Sequence, residues 1–576
     1  MDLSRREFIK MSSLASLLYA LPFESILAGE KGIRQEADLY AIFLNPPDTA
    51  RPFVRWWWNG LRIEKSELLR ELDMLGEKGI SGVEINSVAF PPENDAMDYQ
   101  PIDWLSDEWL HLLKTTVEGA KERGITCDII VGSGWPFGGE FLQKDEQIQL
   151  LALGTKELAG GQQYRIKKDE LLSDMETLRT YKSGSMELFG LRLAPDMPDK
   201  FQPGIDLNGE IKEETITIDV PSGKHILYYL VKLTGYTAVT HGAPGASGPV
   251  LNHYNKAAVQ KYLNRMSDAI TAKIGRMGDY FRSVFIDSME LRGSNWCDDI
   301  QQQFKQRRGY ALEPYLPFIL FKINPKSTYN GGQLLDENIL ILSQEAQDEI
   351  ERVRYDFEIT RLELFHERFL ETFVDWCRQN GVKSRVQAYG REYYPLKSAM
   401  VLDIPECETW LRPDVGTDFT ERTFRTGRAY RPVNKFVSSA ARLTGKKIIS
   451  CEEIPNTTMV FNASLERIKI TGDQSNLSGV TPSILHGFNY SPEDVPFPGW
   501  VRYGTLFNER NTWWPYLRTW IDYKARLSAI FQAAEPQADV AVIFPMADMW
   551  SKVGLRYQQF PQVVYPEYAN NIWEAV

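Results

Sequence analysis

The chain has 576 residues, 43% of them hydrophobic and 25% charged, which excludes a disordered protein and supplies enough apolar material for one large core plus at least one further domain. Its formal net charge of -12 argues against a nucleic-acid or anionic-membrane partner, because both bind basic faces that neutralise phosphate. Five cysteines, Cys127, Cys297, Cys377, Cys407 and Cys451, lack CxxC spacing and signal neither a zinc site nor a disulfide framework.

The chain opens on a twin-arginine pattern, Ser4-Arg5-Arg6-Glu7-Phe8-Ile9-Lys10, followed by a moderately apolar stretch from Met11 to about Ala28. That stretch is too short and interrupted for a membrane span. It reads as an export signal over residues 1–28, with the mature protein in the periplasm or at the cell surface of a bacterium and no stable membrane insertion after cleavage.

Strand-like and helix-like segments then alternate as in an α/β fold, a TIM-like (β/α)8 barrel. The first part spans residues 36–152. It holds a strand at Phe53–Trp58, a helix from Lys65 to Lys78 with Leu68, Leu69, Leu72 and Leu75 at helical spacing, and a strand at Gly82–Ile85. A helix through Trp109, Leu112, Leu113, Val117 and Ala120 follows, then a strand at Ile125–Val131. From 153 to 240 the rhythm breaks into short polar β segments between Gly- and Pro-rich turns, the pattern of an inserted small β domain. The barrel resumes over 241–535. A long helix from Lys256 to Arg276 precedes strands at Ser283–Ser288, Ser384–Tyr389, Met400–Ile404, Lys447–Cys451 and Ser483–His486. An excursion from Pro325 to about Ser343 is placed to act as a lid. The apolar run Ala538–Phe544 reads as the first strand of a C-terminal α/β unit over 536–576, too few residues to complete a doubly wound domain, so a fragment is expected.

Two apolar runs end in acids: Val284-Phe285-Ile286-Asp287-Ser288-Met289-Glu290 and Lys447-Ile448-Ile449-Ser450-Cys451-Glu452-Glu453. The C-terminal ends of barrel strands are where such folds carry their chemistry. Two carboxyls in unlike environments, one protonated and one ionised, suit glycoside hydrolysis. Only one of Glu452 and Glu453 can face the barrel axis, since neighbouring side chains on a strand alternate, and Glu452 is chosen. Glu406, beyond the sixth strand, is a third inward candidate for a metal or a sugar hydroxyl. Trp135, in the loop Gly132-Ser133-Gly134-Trp135-Pro136-Phe137-Gly138-Gly139, is either a sugar platform or a packing residue; that loop lacks the Lys-Ser/Thr of a phosphate site. Of Trp56, Trp57 and Trp58 at least one points inward, and Trp58 is taken as substrate-binding. His486 ends the eighth strand and either bonds a substrate hydroxyl or packs. The six histidines show no HExxH grouping and no GxSxG elbow is present, so zinc-hydrolase and acyl-transfer chemistry are disfavoured.

With these residues in place the chain resembles glycoside hydrolase family 106, the α-L-rhamnosidases. The resemblance is carried by Arg51-Pro52-Phe53-Val54-Arg55-Trp56-Trp57-Trp58-Asn59-Gly60, Gly82-Val83-Glu84-Ile85, the Gly132–Gly139 loop, Asp287-Ser288-Met289-Glu290, Gln387-Ala388-Tyr389-Gly390, Asp403-Ile404-Pro405-Glu406 and Phe507-Asn508-Glu509-Arg510-Asn511-Thr512-Trp513-Trp514. It implies a calcium-assisted inverting hydrolase with Glu290 as general acid, Glu452 as general base, and Asp287 and Gln387 on the substrate. Glu406 is the candidate calcium ligand. Inversion needs a water between base and anomeric carbon, so the acid and base should stand roughly 6.5 to 9.5 Å apart. The reading is a secreted glycosidase releasing terminal α-L-rhamnose from an oligo- or polysaccharide. A barrel glycosidase of different sugar specificity and a non-catalytic glycan-binding protein remain as alternatives.

Overall fold

A computed structural model describes residues 39–59, 63–89, 102–196, 200–291, 293–320, 343–389, 393–411, 430–456, 461–501, 504–543 and 546–552. The expected export signal and all but the end of the 325–343 excursion lie outside these residues.

Fourteen strands are described, and eight of them close into a parallel barrel. In chain order they are β1 (Phe53–Trp58), β2 (Gly82–Ser87), β3 (Thr126–Ile130), β4 (Gln149–Leu158), β5 (Gln163–Lys167), β6 (Ser185–Pro195), β7 (Ile205–Asp206), β8 (Thr215–Asp219), β9 (His225–Thr234), β10 (Phe281–Ile286), β11 (Lys383–Val386), β12 (Ile404–Thr409), β13 (Ser450–Glu453) and β14 (Ser483–Asn489). The barrel runs β1-β14-β13-β12-β11-β10-β3-β2 and closes on itself, the (β/α)8 architecture expected from the alternating pattern. Every residue of β1, β2, β12, β13 and β14 is buried, as a strand must be when helices cover one face and a filled interior the other. The helix at Asp107–Glu122 starts where the Ser106 hydroxyl accepts from the Trp109 N–H at 3.2 Å, and the Lys256–Lys273 helix starts where Asn255 Oδ1 accepts from the Ala258 N–H at 3.2 Å. No helix among the described residues is long and apolar enough to cross a membrane.

Between β3 and β10 the chain builds two antiparallel sheets, β4-β9-β6-β7 and β5-β8. β4 and β9 pair over ten residues, from Gln149 opposite Thr234 to Leu158 opposite His225, so this sheet begins a few residues before 153. Gly154 is needed in β4 because a Cβ there would meet the Tyr229 ring at 2.1 Å. The sheet is fastened to the barrel by Asn295, which accepts from the Leu151 N–H at 2.8 Å and donates to the Leu151 carbonyl at 3.0 Å.

Two expected strands differ. The sixth was expected at Met400–Ile404, but Pro395–Met400 is a helix and the strand runs from Ile404 to Thr409. Ala399 and Leu402 are both buried three residues apart, a helical spacing that the apolar run conceals. The run Ala538–Ile543 forms no strand among the described residues; Val540 and Ile543 are exposed, and Met546–Lys552 is helical.

Candidate active site

Alternation along the parallel strands sends Arg55, Glu84, Arg385, Gln387, Glu406 and Glu452 into the barrel, where they replace the branched apolar residues that usually fill such an interior. Arg55 of β1 is the centre. Its Nε donates to Glu84 Oε1 at 2.6 Å, and its Nη1 donates both to Glu452 Oε2 at 2.8 Å and to Asp287 Oδ2 at 3.0 Å. A second buried guanidinium, Arg385 of β11, donates to Glu406 Oε2 at 2.5 Å and to Glu84 Oε2. The Phe285 ring lies under both, 4.8 Å from the Arg55 guanidinium carbon and 4.3 Å from that of Arg385.

Buried charge is sustained only by such pairing. Burial opposes the charge on Arg55, yet Glu452, Asp287 and Glu406 outweigh it and hold the guanidinium above its ordinary range. Arg385 goes the other way, lowered to about 10 chiefly by burial, with Arg55 adding to that effect. Burial also raises the Asp287 carboxyl to about 7 against the pull of Arg55, and its hydrogen bond with Glu452 adds to the rise. Asp287 therefore holds its proton to higher pH than an ordinary carboxyl does. Burial and the Arg55 charge push His486 well below its ordinary value, so its ring is neutral.

Glu452 is the point where the strands converge. Besides Arg55, Gln387 Nε2 donates to its Oε2 at 2.6 Å, and His486 Nε2 lies 3.5 Å from its Oε1. Its neighbour Glu453 faces the other way and accepts from the buried Lys524 Nζ at 3.0 Å, as alternation requires. Asp287 is the residue of the Asp-x-x-Glu motif tied to Glu452. Glu290 sits half-buried in the loop after β10, its N–H donating to the Ser288 carbonyl at 3.1 Å. Trp135 is half-buried and its ring stands 5.8 Å from Trp57 and 5.5 Å from His241; Trp57 in turn lies 5.3 Å from His486. These rings form an apolar wall next to the acids, a surface suited to a sugar's C–H face.

Two expected roles are corrected by the geometry. Trp58 points into the helix layer, its ring 5.6 Å from Trp56 and 6.4 Å from Trp109, while Trp57 takes the inward position. The assignment failed because three tryptophans in a row hide the alternation. Glu406 does not fit calcium: Oε2 accepts from Arg385 Nη1 at 2.5 Å and Ser450 Oγ at 2.7 Å, and Oε1 from Gln387 Nε2 at 3.3 Å. The charge of Glu406 is already matched by the Arg385 guanidinium and Oε2 carries two donors, so it is poorly suited to a hard cation that wants several oxygens. Among the described residues no group of three or more His, Cys, Asp or Glu side chains is arranged to hold a metal.

Arg55, Trp57, Glu84, Arg385, Tyr389 and Glu408 belong to the site but carry no role in the sequence reading. For Arg55 and Glu84 the signal was a charge inside a buried apolar run, as in Val54-Arg55-Trp56 and Val83-Glu84-Ile85.

The chain spans less than half of a relative from Formosa agariphila named "Putative beta-glucuronidase", with 25% identity over 550 residues, 89% of this chain and 43% of the relative. Among solved structures it is similar to a rhamnosidase from Novosphingobium sp. PP1Y, with a TM-score of 0.61, 16% identity, and coverage of 86% of this chain and 61% of that one. It also matches a beta-galactosidase from Rahnella sp. R3 at a TM-score of 0.41, with 11% identity over 88% of this chain and 62% of the other. The glycoside hydrolase family 106 pattern, described as alpha-L-rhamnosidase, matches residues 44–189 and 201–563. With most of its length matched and an acid-lined closed barrel behind that match, the chain belongs to glycoside hydrolase family 106, the family described as alpha-L-rhamnosidase.

Proposed function

We propose that this glycosidase releases a terminal α-L-rhamnosyl residue with inversion, Glu452 acting as general base and Glu290 as general acid. The observation that carries the reading is the convergence on Glu452. A carboxylate at the C-terminal end of a barrel strand is gripped at one oxygen by Arg55 and Gln387, while its other oxygen faces the neutral ring of His486. A base held in this way is pre-oriented toward an attacking water.

Asp287 is unsuited to be the acid, although its proton affinity is high. It is hydrogen-bonded to Glu452 and shares Arg55 Nη1 with it, which leaves no room between the two for a water and a sugar ring. The acid must stand farther off. Glu290, three residues along the same loop and half-buried, is the candidate for that role.

The relative named as a putative beta-glucuronidase raises the alternative of a uronic-acid substrate. Both buried guanidinia are already matched by carboxylates, so a further anion would enter without a free cation from Arg55 or Arg385. A neutral deoxy sugar, whose methyl group can rest on the Trp57–Trp135 wall, meets no such cost. A calcium ion would need a holder other than Glu406. Export and a polysaccharide source rest on the N-terminal pattern and the family resemblance.

Following hydrolysis of an aryl α-L-rhamnoside by proton NMR tests the reading. β-Rhamnose should be the first product, and Glu452→Gln should lower kcat by about 10²- to 10⁴-fold in a folded protein. Glu290→Gln should lose turnover of poor leaving groups more than of activated ones. First-formed α-rhamnose, or release of another sugar in its place, overturns it.

A further inference from the structure

The loops after β13 and β14 carry a pair of phenylalanines that the proposed reaction leaves unused. Both loops are laced together over the strand ends that bear Glu452 and His486. The Gly504 N–H donates to the Asn456 carbonyl at 2.9 Å, Thr505 Oγ1 donates to the Ile454 carbonyl at 2.6 Å, and the Thr505 N–H donates to the His486 carbonyl at 2.9 Å. Gly504 lies so close to the site that a Cβ there would come 3.0 Å from His486 Nδ1. Phe461 follows Asn456 by five residues, a reach of at most roughly 17 Å, so it belongs to the rim of this mouth.

The Phe461 ring stacks on that of Phe497 in the second loop, with centroids 5.3 Å apart and planes 27° from parallel. Phe497 is 71% exposed and Phe461 is half-buried. The stack is held out to solvent by a loop that is hydrogen-bonded throughout. The Val495 N–H donates to the Pro492 carbonyl at 3.1 Å, the Gly499 N–H to the Pro496 carbonyl at 2.9 Å, and the Trp500 N–H to Ser491 Oγ at 3.0 Å. The Ser491 N–H in turn donates to Glu71 Oε1 at 3.0 Å, which ties the loop to the Lys65–Glu77 helix. Phe461 stands at φ 55°, a left-handed conformation that a bulky residue adopts only at a cost, and such strain gathers where a side chain must be presented.

Exposed Asn462, Glu493 and Asp494 neighbour the two rings in the same loops. Aromatic faces accompanied by a carboxamide and carboxylates suit a pyranose, whose C–H face rests on the rings while its hydroxyls donate to the polar groups. The two carboxylates disfavour an anionic sugar in that place.

We propose that the Phe461–Phe497 stack is a platform for the leaving group, receiving the neutral pyranose residue to which the released sugar is attached. The inference rests on the proposed release of a terminal residue. Arg55, Arg385 and their acids fill the barrel axis, so a terminal sugar bound at Glu452 has no path inward and the remainder of the substrate lies across the rim.

Two measurements on the full chain test it. With rhamnosides as substrates, Phe497→Ala and Phe461→Ala should each lower the ratio of kcat/KM for a rhamnosyl-glucose disaccharide to that for methyl α-L-rhamnoside by about 2- to 12-fold, the size of a ring contact. Phe497→Tyr, which keeps the flat face, should restore the ratio. An unchanged ratio in both alanine variants overturns the platform. Saturation-transfer NMR with cellobiose, lactose and maltose, neutral disaccharides without rhamnose, reads the platform apart from the reaction. Transfer from aromatic protons to at least one of them is expected, and should be lost in both alanine variants. No transfer to any of the three, or transfer that survives in the variants, overturns the proposal whatever the enzyme turns over. Failure of every rhamnoside with the transfer intact would instead remove the proposed reaction and leave the platform standing.

Discussion

At the scale of single residues, Arg55 converts a collection of buried acids into a stable arrangement. One Nη1 serves Asp287 and Glu452 at 3.0 and 2.8 Å, so the proton retained by Asp287 and the charge on Arg55 together stabilise the pair. That retained proton has a consequence for stability. The unfolded Asp287 loses its proton near the ordinary 3.8, whereas the folded one holds it up to about 7. Between these values the folded state binds the extra proton, so its stability falls as pH rises through that window. Asp287→Asn, which cannot ionise, should flatten this part of the curve. Urea denaturation at intervals from pH 4 to pH 8 measures it, and parallel curves for the two proteins would refute the assignment.

At the scale of elements, β1 separates structure from function across its two faces. Arg55 and Trp57 face the acids, while Trp56 donates from its indole to Glu71 of the Lys65–Glu77 helix at 2.6 Å and Trp58 packs beside Trp56 and Trp109. Trp58→Ala should cost about 3–5 kcal/mol of stability, the usual cost of emptying a tryptophan-sized space in a core. Trp57→Ala empties an equally buried site and should also lower stability, but it should in addition raise KM for the glycoside, since it removes part of the wall beside His486 and Trp135. Denaturation and steady-state kinetics on the two variants should show the KM effect with Trp57→Ala and not with Trp58→Ala. β13 shows the same division one residue apart: Glu452 on Arg55 inside, Glu453 on Lys524 outside.

At the scale of the whole molecule, the buried polar contacts between the inserted sheets and the barrel include the reciprocal pair between Asn295 and Leu151 and the Ser294 hydroxyl donating to the Gln149 carbonyl at 3.2 Å. Asn295→Ala leaves a donor and an acceptor of β4 without these partners, and should cost about 1–3 kcal/mol. Limited proteolysis should then cut in the 149–234 sheet before the barrel; uniform resistance would mean that the sheet is held by its apolar face instead.

The sequence by itself determined the barrel and the approximate place of seven of its strands, because a parallel strand buried on both faces must be a short apolar run, and such runs are visible one at a time. It also singled out Glu452 and Glu453 as acids ending such a run, and strand alternation points Glu452 inward, where it meets Arg55, and Glu453 outward onto Lys524. It failed at the sixth strand, where Ala399 and Leu402 are buried at a spacing that an unbroken apolar run masks. What only the tertiary structure decided is the partnering. Arg55 meets Glu452 across 397 residues and Arg385 meets Glu84 across 301. Closure of the barrel sets those distances, and no local pattern encodes them. For the same reason Glu406 could be read as a metal ligand until Arg385 and Ser450 were seen on its Oε2.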